Sequence, residues 1–379
     1  MKRIVVVVGT RPEVIKMAPL VHELRRRDGV ETLLVATGQH REMSAQSLAC
    51  FDLVADRDLG VMSEDQALAP LTGLLIEKLT ETIRDLRPDA LLVQGDTTTV
   101  LAAGLAAFYE RVGLGHVEAG LRSHDYSQPW PEEMNRRLTD CVATWCFAPT
   151  ETARENLLRE GVDPRRVHVT GNTVIDALLW MRDRVARDPP AVPPQVTDFI
   201  HRRRLVLITG HRRESFGPVF DGLCRAMRRI AAGHRDVALL YPVHLNPRVR
   251  EPVGRILDGE ERILLLEPLP YDQFVWLLSK SHLVLTDSGG VQEEAPALGK
   301  PVVVMRDKSE RPEGVETGNA VIAGTDEESI VEEVDRLLDS DEAYRARAQV
   351  ALPYGDGRAA GRITDILLSA GGTESAGER

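Results

Sequence analysis

Residues able to do chemistry stand directly after short apolar runs at several points of the chain. The segment "LTDSGGVQEEAPALGKPVVVM" shows the pattern most fully. Asp287, Ser288, Gly289 and Gly290 end an apolar run and precede a helix-like stretch. Two glycines let the backbone approach a ligand closely, and N–H groups at a helix start attract anions. The stretch therefore reads as a diphosphate cradle, with Ser288 adding a hydroxyl. One of Glu293 and Glu294 can accept both hydroxyls of a ribose. The plainer alternative is a glycine-rich turn with an acidic helix start. Arg311, in "SERPEG", offers a further cation nearby.

Other such positions extend the set. "GTRPEVIK" follows the first apolar run and lacks G-x-G-x-x-G, which disfavours a dinucleotide site. It puts Arg11 at a helix start and Lys16 about one turn on, a place for an anion, unless both are simply solvated. Asp96 follows "ALLVQG" and is read equally well as a helix cap. Glu118, between Val117 and Ala119-Gly120, is a poor surface residue and a poor cap, which favours a functional role. In "PWPEEMNRRLTD", Glu132 and Glu133 suit a helix N-terminus, and Arg136 stands four residues after Glu132, an ion-pair spacing. His211, Arg212 and Arg213 follow another apolar run, and His244 follows a further one. Two histidines at strand ends shift the balance from structural toward functional.

These residues need a scaffold that gathers strand ends. Short β-branched runs alternate with helix-period segments throughout: "RIVVVV", "TLLVAT", "DALLVQGD", "GHVEAG" and "RVHVTGN", then "RLVLITG", "VALLYPV", "RILLLEP", "HLVLTDSGG" and "KPVVVMR". That alternation predicts parallel sheets wound with helices. Four prolines between Pro189 and Pro194 predict a stiff linker over 188–196. The expected domains are thus 1–187 and 197–357, with "GRITDILLSA" helical and "GGTESAGER" disordered. In open parallel sheets ligands bind at the carboxyl ends of strands, so two such domains would form a cleft between those ends.

Composition sets the outer limits. The chain has 379 residues, enough for two domains, and 43% hydrophobic content supports a proper core. A net charge of -11 argues against a nucleic-acid partner. Four cysteines, with no CxxC pair or clustered histidine, read as reduced thiols rather than a metal site. The apolar run Ile4–Val8 is too short for a signal peptide, and no run approaches the roughly 20 apolar residues a membrane span requires. The expectation is a cytoplasmic protein without metal, cofactor or membrane partner.

Taken in order, "GTRPEVIKMAPL", "GDTTTVLA", "HVEAGLRS", "PWPEEMNRRLTD", "FAPTETARENLLREG", "VTGNTVID", "GHRRESFG", "YPVHLNP", "LTDSGGVQEEAPALGKPVVVMR" and "ERPEGVETG" resemble the UDP-N-acetylglucosamine 2-epimerases, the non-hydrolysing bacterial branch best. The matching stretches run from about residue 3 to 325. The resemblance implies a GT-B-like α/β fold of two Rossmann-like domains facing across a cleft, with the C-terminal helix, 358–370, packing back on the first. It implies UDP-GlcNAc and UDP-ManNAc as substrate and product, no cofactor, and a homodimer. By the family's pattern Asp96, Glu118 and Glu132 transfer protons and His211 assists the leaving diphosphate. Arg11, Ser288, Gly289 and Gly290 hold that diphosphate, Glu294 takes the ribose and Phe274 lies by the uracil. Lys16, Arg136 and Arg311 support them. A hydrolysing relative, a glycosyltransferase on the same fold and a nucleotide-sugar sensor are the alternatives.

One departure from the pattern carries an expectation. Many family members bind a second UDP-GlcNAc as an activator, and Gln39, Arg213 and His244 match that site. Glu42 and Asp65, however, stand where an amide and a cation are expected. Two carboxylates facing a diphosphate repel it. Activation by UDP-GlcNAc is therefore expected to be weak or absent, and Asp65→Arg to strengthen it; a strongly sigmoidal rate curve for the parent would contradict this.

Overall fold

The computed structural model describes residues 1–38, 41–61, 66–210, 216–309 and 311–369, with the backbone alone for 41–44. It divides into two compact units. One comprises Met1–Trp180 with Tyr354–Arg379, the other Met181–Pro353.

The first unit is built on a seven-stranded sheet: β1 (Lys2–Val8), β2 (Val30–Ala36), β3 (Arg57–Asp58), β4 (Ala90–Gln94), β5 (Gly113–Val117), β6 (Trp145–Ala148) and β7 (Val167–Val169). The order is β3-β2-β1-β4-β5-β6-β7, with every pairing parallel. Ile4 to Val8 are all buried, as expected of a strand covered on both faces. The second unit repeats the plan with six strands: β8 (Arg204–Thr209), β9 (Val237–Pro242), β10 (Ile263–Leu266), β11 (Leu283–Thr286), β12 (Val302–Val304) and β13 (Ala320–Ile322). Their order is β10-β9-β8-β11-β12-β13, again parallel. Both sheets thus reverse direction of winding beside their first strand, between β1 and β4 and between β8 and β11. That reversal opens a crevice at the strand ends in each unit.

The division between the units does not follow the proline-rich segment. It falls after Trp180, inside the helix Thr173–Arg187. Residues 188–196, read from sequence as a linker, belong to the second unit, and a short helix, Pro194–Ile200, begins within them. Proline is well suited to a first helical turn, because its missing N–H is not needed there.

The helix Ala359–Ser369 belongs to the first unit and packs on the helix Arg11–Arg25. Its start is held by a buried carboxylate. Asp176 accepts from the Ala359 N–H at 3.2 Å and the Ala360 N–H at 2.9 Å. Burial nevertheless pushes Asp176 up to about 6, against those bonds. The Arg27–Asp365 pair at 2.8 Å secures the outer face. The segment "GGTESAGER" lies outside the described residues.

Candidate active site

Buried polar residues of the first unit include several just past its strands, among them Glu13 after β1, Thr98 after β4, Glu118 after β5 and Asn172 after β7. Glu118 stands one residue past β5 with φ 67, a left-handed conformation that is strained for a side chain of this size. The backbone turn aims the carboxylate inward, and it is buried. Lys16 donates to both of its oxygens, at 2.6 and 2.8 Å. Asn172 donates at 3.1 Å, and Gln94, from the end of β4, donates as well. A cation and two amides therefore surround one anion. Lys16, expected from sequence to help hold a diphosphate, is here the counter-ion of Glu118.

Asp96 follows β4 and is not the helix cap that its position allows. That task falls to Thr97, which accepts from the Val100 N–H at the start of the helix Thr98–Tyr109. The Asp96 carboxylate instead pairs with Arg136, while its carbonyl accepts from Asn135 at 2.9 Å. Both partners lie on the helix Glu132–Val142. The i,i+4 pair expected between Glu132 and Arg136 does not form: Arg136 reaches Asp96 and, at 3.5 Å, Glu133. Of the two adjacent glutamates, Glu133 is the fully buried one, accepting from the Ser123 N–H at 3.0 Å and Arg137 at 3.1 Å. Glu132 is half-buried, and its carboxylate makes no hydrogen bond or ion pair among the described residues. It is the carboxylate of the three with no partner to give up before taking a proton.

Arg11 is the first residue of its helix and half-buried. Below it lies Glu13, a residue that sequence reading passed over. Glu13 accepts from the Gly9 N–H at 2.6 Å and the Thr10 hydroxyl at 2.9 Å. The spacing Thr10-x-x-Glu13 is the capping-box signature that would have flagged it. Gly9 is required here by close approach, since a Cβ would lie 2.4 Å from the Thr99 hydroxyl oxygen.

Burial pushes Glu13 up to about 7 from 4.5, against the hydrogen bonds it accepts from Gly9, Thr97 and Thr10. The folded state thus holds this proton more tightly than the unfolded one. The stability it contributes is fully present below about pH 4.5 and is lost as pH rises through about 7. Glu13→Gln is therefore expected to gain stability over the parent by roughly 2–3 kcal/mol between pH 5 and pH 8. Paired melting curves at the two pH values measure this. An advantage that does not grow with pH would show that Glu13 stays ionised.

In the second unit, Ser288 follows β11 and stands at the N-cap of the helix Gly289–Ala297. Its hydroxyl does not cap the helix, and among the described residues that hydroxyl and the first N–H groups are available to an anion. A Cβ on Gly290 would meet only open space. Glu294 is buried and accepts from the Tyr271 hydroxyl at 2.6 Å. Tyr271 begins the helix that carries Phe274 one turn on, and Phe274 is half-buried. Arg311, expected near the cradle as a further cation, forms an ion pair with the buried Glu293. Its N–H also donates to Ser309, which in turn donates to Gln292 at 2.6 Å. His244 is exposed past the end of β9 and accepts from the Asn246 N–H at 3.1 Å. His211, Arg213, Gln39 and Asp65, and the side chain of Glu42, lie outside the described residues.

Among the described residues no group of three or more His, Cys, Asp and Glu could hold a metal ion, and no helix is long and apolar enough to cross a membrane.

The chain matches the family model described as UDP-N-acetylglucosamine 2-epimerase over residues 22–368. It is 50% identical over 375 residues to the UDP-N-acetylglucosamine 2-epimerase of Escherichia coli K12, which covers 96% of this chain and 98% of that one. It is similar in structure to the UDP-GlcNAc 2-epimerase of Neisseria meningitidis bound to UDP-GlcNAc. The TM-score is 0.90 at 42% identity, over 97% of this chain and 100% of that one. S. aureus MnaA, in a co-structure with UDP, gives a TM-score of 0.90 at 43% identity, over 98% and 97% of the two chains. The fold is the GT-B-like class with two Rossmann-like domains.

Proposed function

Because this chain belongs to the UDP-N-acetylglucosamine 2-epimerase family, we propose that it interconverts UDP-GlcNAc and UDP-ManNAc by eliminating UDP and adding it back. The observation that carries this reading is the strained, buried Glu118, held by Lys16, Gln94 and Asn172 beside the Asp96–Arg136 pair. Carboxylates fixed at adjacent strand ends, each with its own cation, suit proton transfer at a centre where charge develops.

The C-2 hydrogen of the sugar is not acidic, since no carbonyl adjoins it. Breaking the C-1–O bond sends its electron pair to the diphosphate and leaves positive charge at C-1. A carboxylate then removes the C-2 proton, and the C–H electrons form the C-1=C-2 double bond of 2-acetamidoglucal. Delivery of a proton to the opposite face of C-2, with UDP re-adding at C-1, gives the epimer. Asp96, Glu118 and Glu132 carry the proton transfers, with Arg136 and Lys16 as counter-ions of the first two. Arg11, His211, Ser288, Gly289 and Gly290 receive the charge of the departing diphosphate. Glu294, oriented by Tyr271, takes the ribose, and Phe274 lies by the uracil.

A second copy of the chain completes the assembly. Phe108 and Tyr109 end one helix, Met134 and Leu138 lie on the helix packed against it, and all four are exposed apolar residues. Light scattering should return twice the chain mass; a monomer would remove this part of the reading.

Proton NMR of the protein with UDP-GlcNAc in deuterated water tests the chemistry. UDP-ManNAc carrying deuterium at C-2 is expected. Free ManNAc with UDP would mean that water, rather than UDP, adds to the glycal, and unchanged substrate would overturn the reading.

A further inference from the structure

Asp96 and Glu118 leave two different strands, yet their turns share an anchor beneath the site. His116 precedes Glu118 by two residues and is fully buried. One ring nitrogen, Nδ1, lies 2.6 Å from an Asp140 oxygen, and the other, Nε2, lies 2.7 Å from the Gly95 carbonyl oxygen. Carboxylate and carbonyl oxygens accept, so both ring nitrogens donate. Gly95 is the residue before Asp96. The other Asp140 oxygen accepts from the Gly120 N–H at 3.3 Å, two residues past Glu118. It also accepts from Arg122 at 2.7 Å, and Arg122 is tied to Glu160 at 2.7 Å. Burial alone would push the Asp140 carboxyl up, but the charges of His116 and Arg122 hold it below the usual range.

Asp140 lies one turn beyond Arg136 and Asn135, on the same helix, Glu132–Val142. That helix therefore grips Asp96 at its side chain and carbonyl, and through Asp140 grips the turns on either side. We propose that Asp140 is a positioning residue for the epimerisation, setting the Asp96 turn through His116 and the Glu118 turn through the Gly120 N–H. It touches no substrate. Its effect is to fix the separation of two proton-transfer groups, where a displacement of about 1 Å is enough to slow a reaction about 100-fold. The inference rests on the function proposed above.

The two arms can be cut separately. His116→Asn keeps a donor near the Nδ1 position, toward Asp140, and loses the one toward Gly95. His116→Gln keeps a donor near Nε2, toward Gly95, and abandons Asp140. Steady-state rates on UDP-GlcNAc, C-2 deuterium uptake and melting temperature are read for both and for Asp140→Asn. His116→Asn is expected to lose kcat about 10–100-fold with KM nearly unchanged. His116→Gln breaks the same chain at its other link and should also lose kcat about 10–100-fold with KM nearly unchanged. Asp140→Asn should lose kcat at least as much; if it does not fold, the histidine pair decides alone. A purely structural network would lower kcat only in step with melting temperature across the variants. That pattern, or full activity in His116→Gln, overturns the inference while an active parent leaves the proposed function standing. A parent that does not epimerise overturns both.

Discussion

Glu118→Gln is expected to lower kcat for epimerisation about 10²–10⁴-fold while UDP, measured by titration calorimetry, binds as it does to the parent. The size of the effect follows from what surrounds the carboxylate. Lys16, Gln94 and Asn172 all donate to it, and Lys16 bonds both oxygens. An amide has one accepting oxygen and turns an NH2 toward at least one of those donors, so it loses charge and hydrogen bonds together. It also can neither take nor give the proton. UDP binding is assigned to residues of the second unit and of the Arg11 turn, which keep their environment. A loss of less than tenfold, with the fold intact by circular dichroism, would remove Glu118 from the proton-transfer set.

Gly120→Ala is expected to cost the first unit roughly 2–4 kcal/mol and to lower its melting temperature by several degrees. Gly120 has φ 85, which alone disfavours any side chain. A Cβ there would also stand 2.2 Å from the Ala153 carbonyl oxygen and 2.8 Å from Leu157 Cγ. The first of these is backbone and cannot swing aside. Relief requires moving the turn, and the turn is held by Asp140 at its N–H and by Asn156, which donates to its carbonyl at 3.0 Å. Thermal unfolding with hydrogen exchange read at β5 separates this loss from events in the second unit. A melting temperature unchanged within error would show that the strand end yields without cost.

The sheet architecture was legible because continuous apolar strands and helix-period segments alternate without interruption, and parallel sheets covered on both faces write themselves that way. "RIVVVV" and "DALLVQGD" became β1 and β4 near the expected places. The proline-rich segment misled, because proline is equally at home in a linker and in a first helical turn. In the candidate site, the strand-end rule singled out Asp96, Glu118 and Ser288, though only Glu118 is of a type odd for its position. It could not pick out partners. Asn172 lies 54 residues from Glu118 and Arg136 lies 40 from Asp96, so those bonds exist only once the sheet has formed. Local spacing even favoured the wrong pair, Glu132 with Arg136, because an i,i+4 contact on an exposed helix face is worth only about 0.3–0.5 kcal/mol and a partly buried carboxylate competes better. His116 and Asp140 were invisible for the same reason: each is ordinary in its own segment, and only the packed helix makes them a pair.

The helix Ala359–Ser369, with its start on Asp176, has a consequence for how the chain comes off the ribosome. The second unit is an insertion between Trp180 and Tyr354 of the first. Translation therefore finishes every strand of the first sheet long before it delivers the segment that covers the helix Arg11–Arg25. At about 5–20 residues per second, the interval between Trp180 and Tyr354 lasts on the order of 10–35 s. Throughout it the nascent first unit presents an uncovered flank and a buried-type carboxylate, Asp176, with no helix start to receive. The inserted unit, continuous in sequence, can close on itself in the meantime. The earliest-made half of the molecule is thus the last to be completed, and a chain truncated before Tyr354 would leave that half, rather than the one nearer the cut, unfinished.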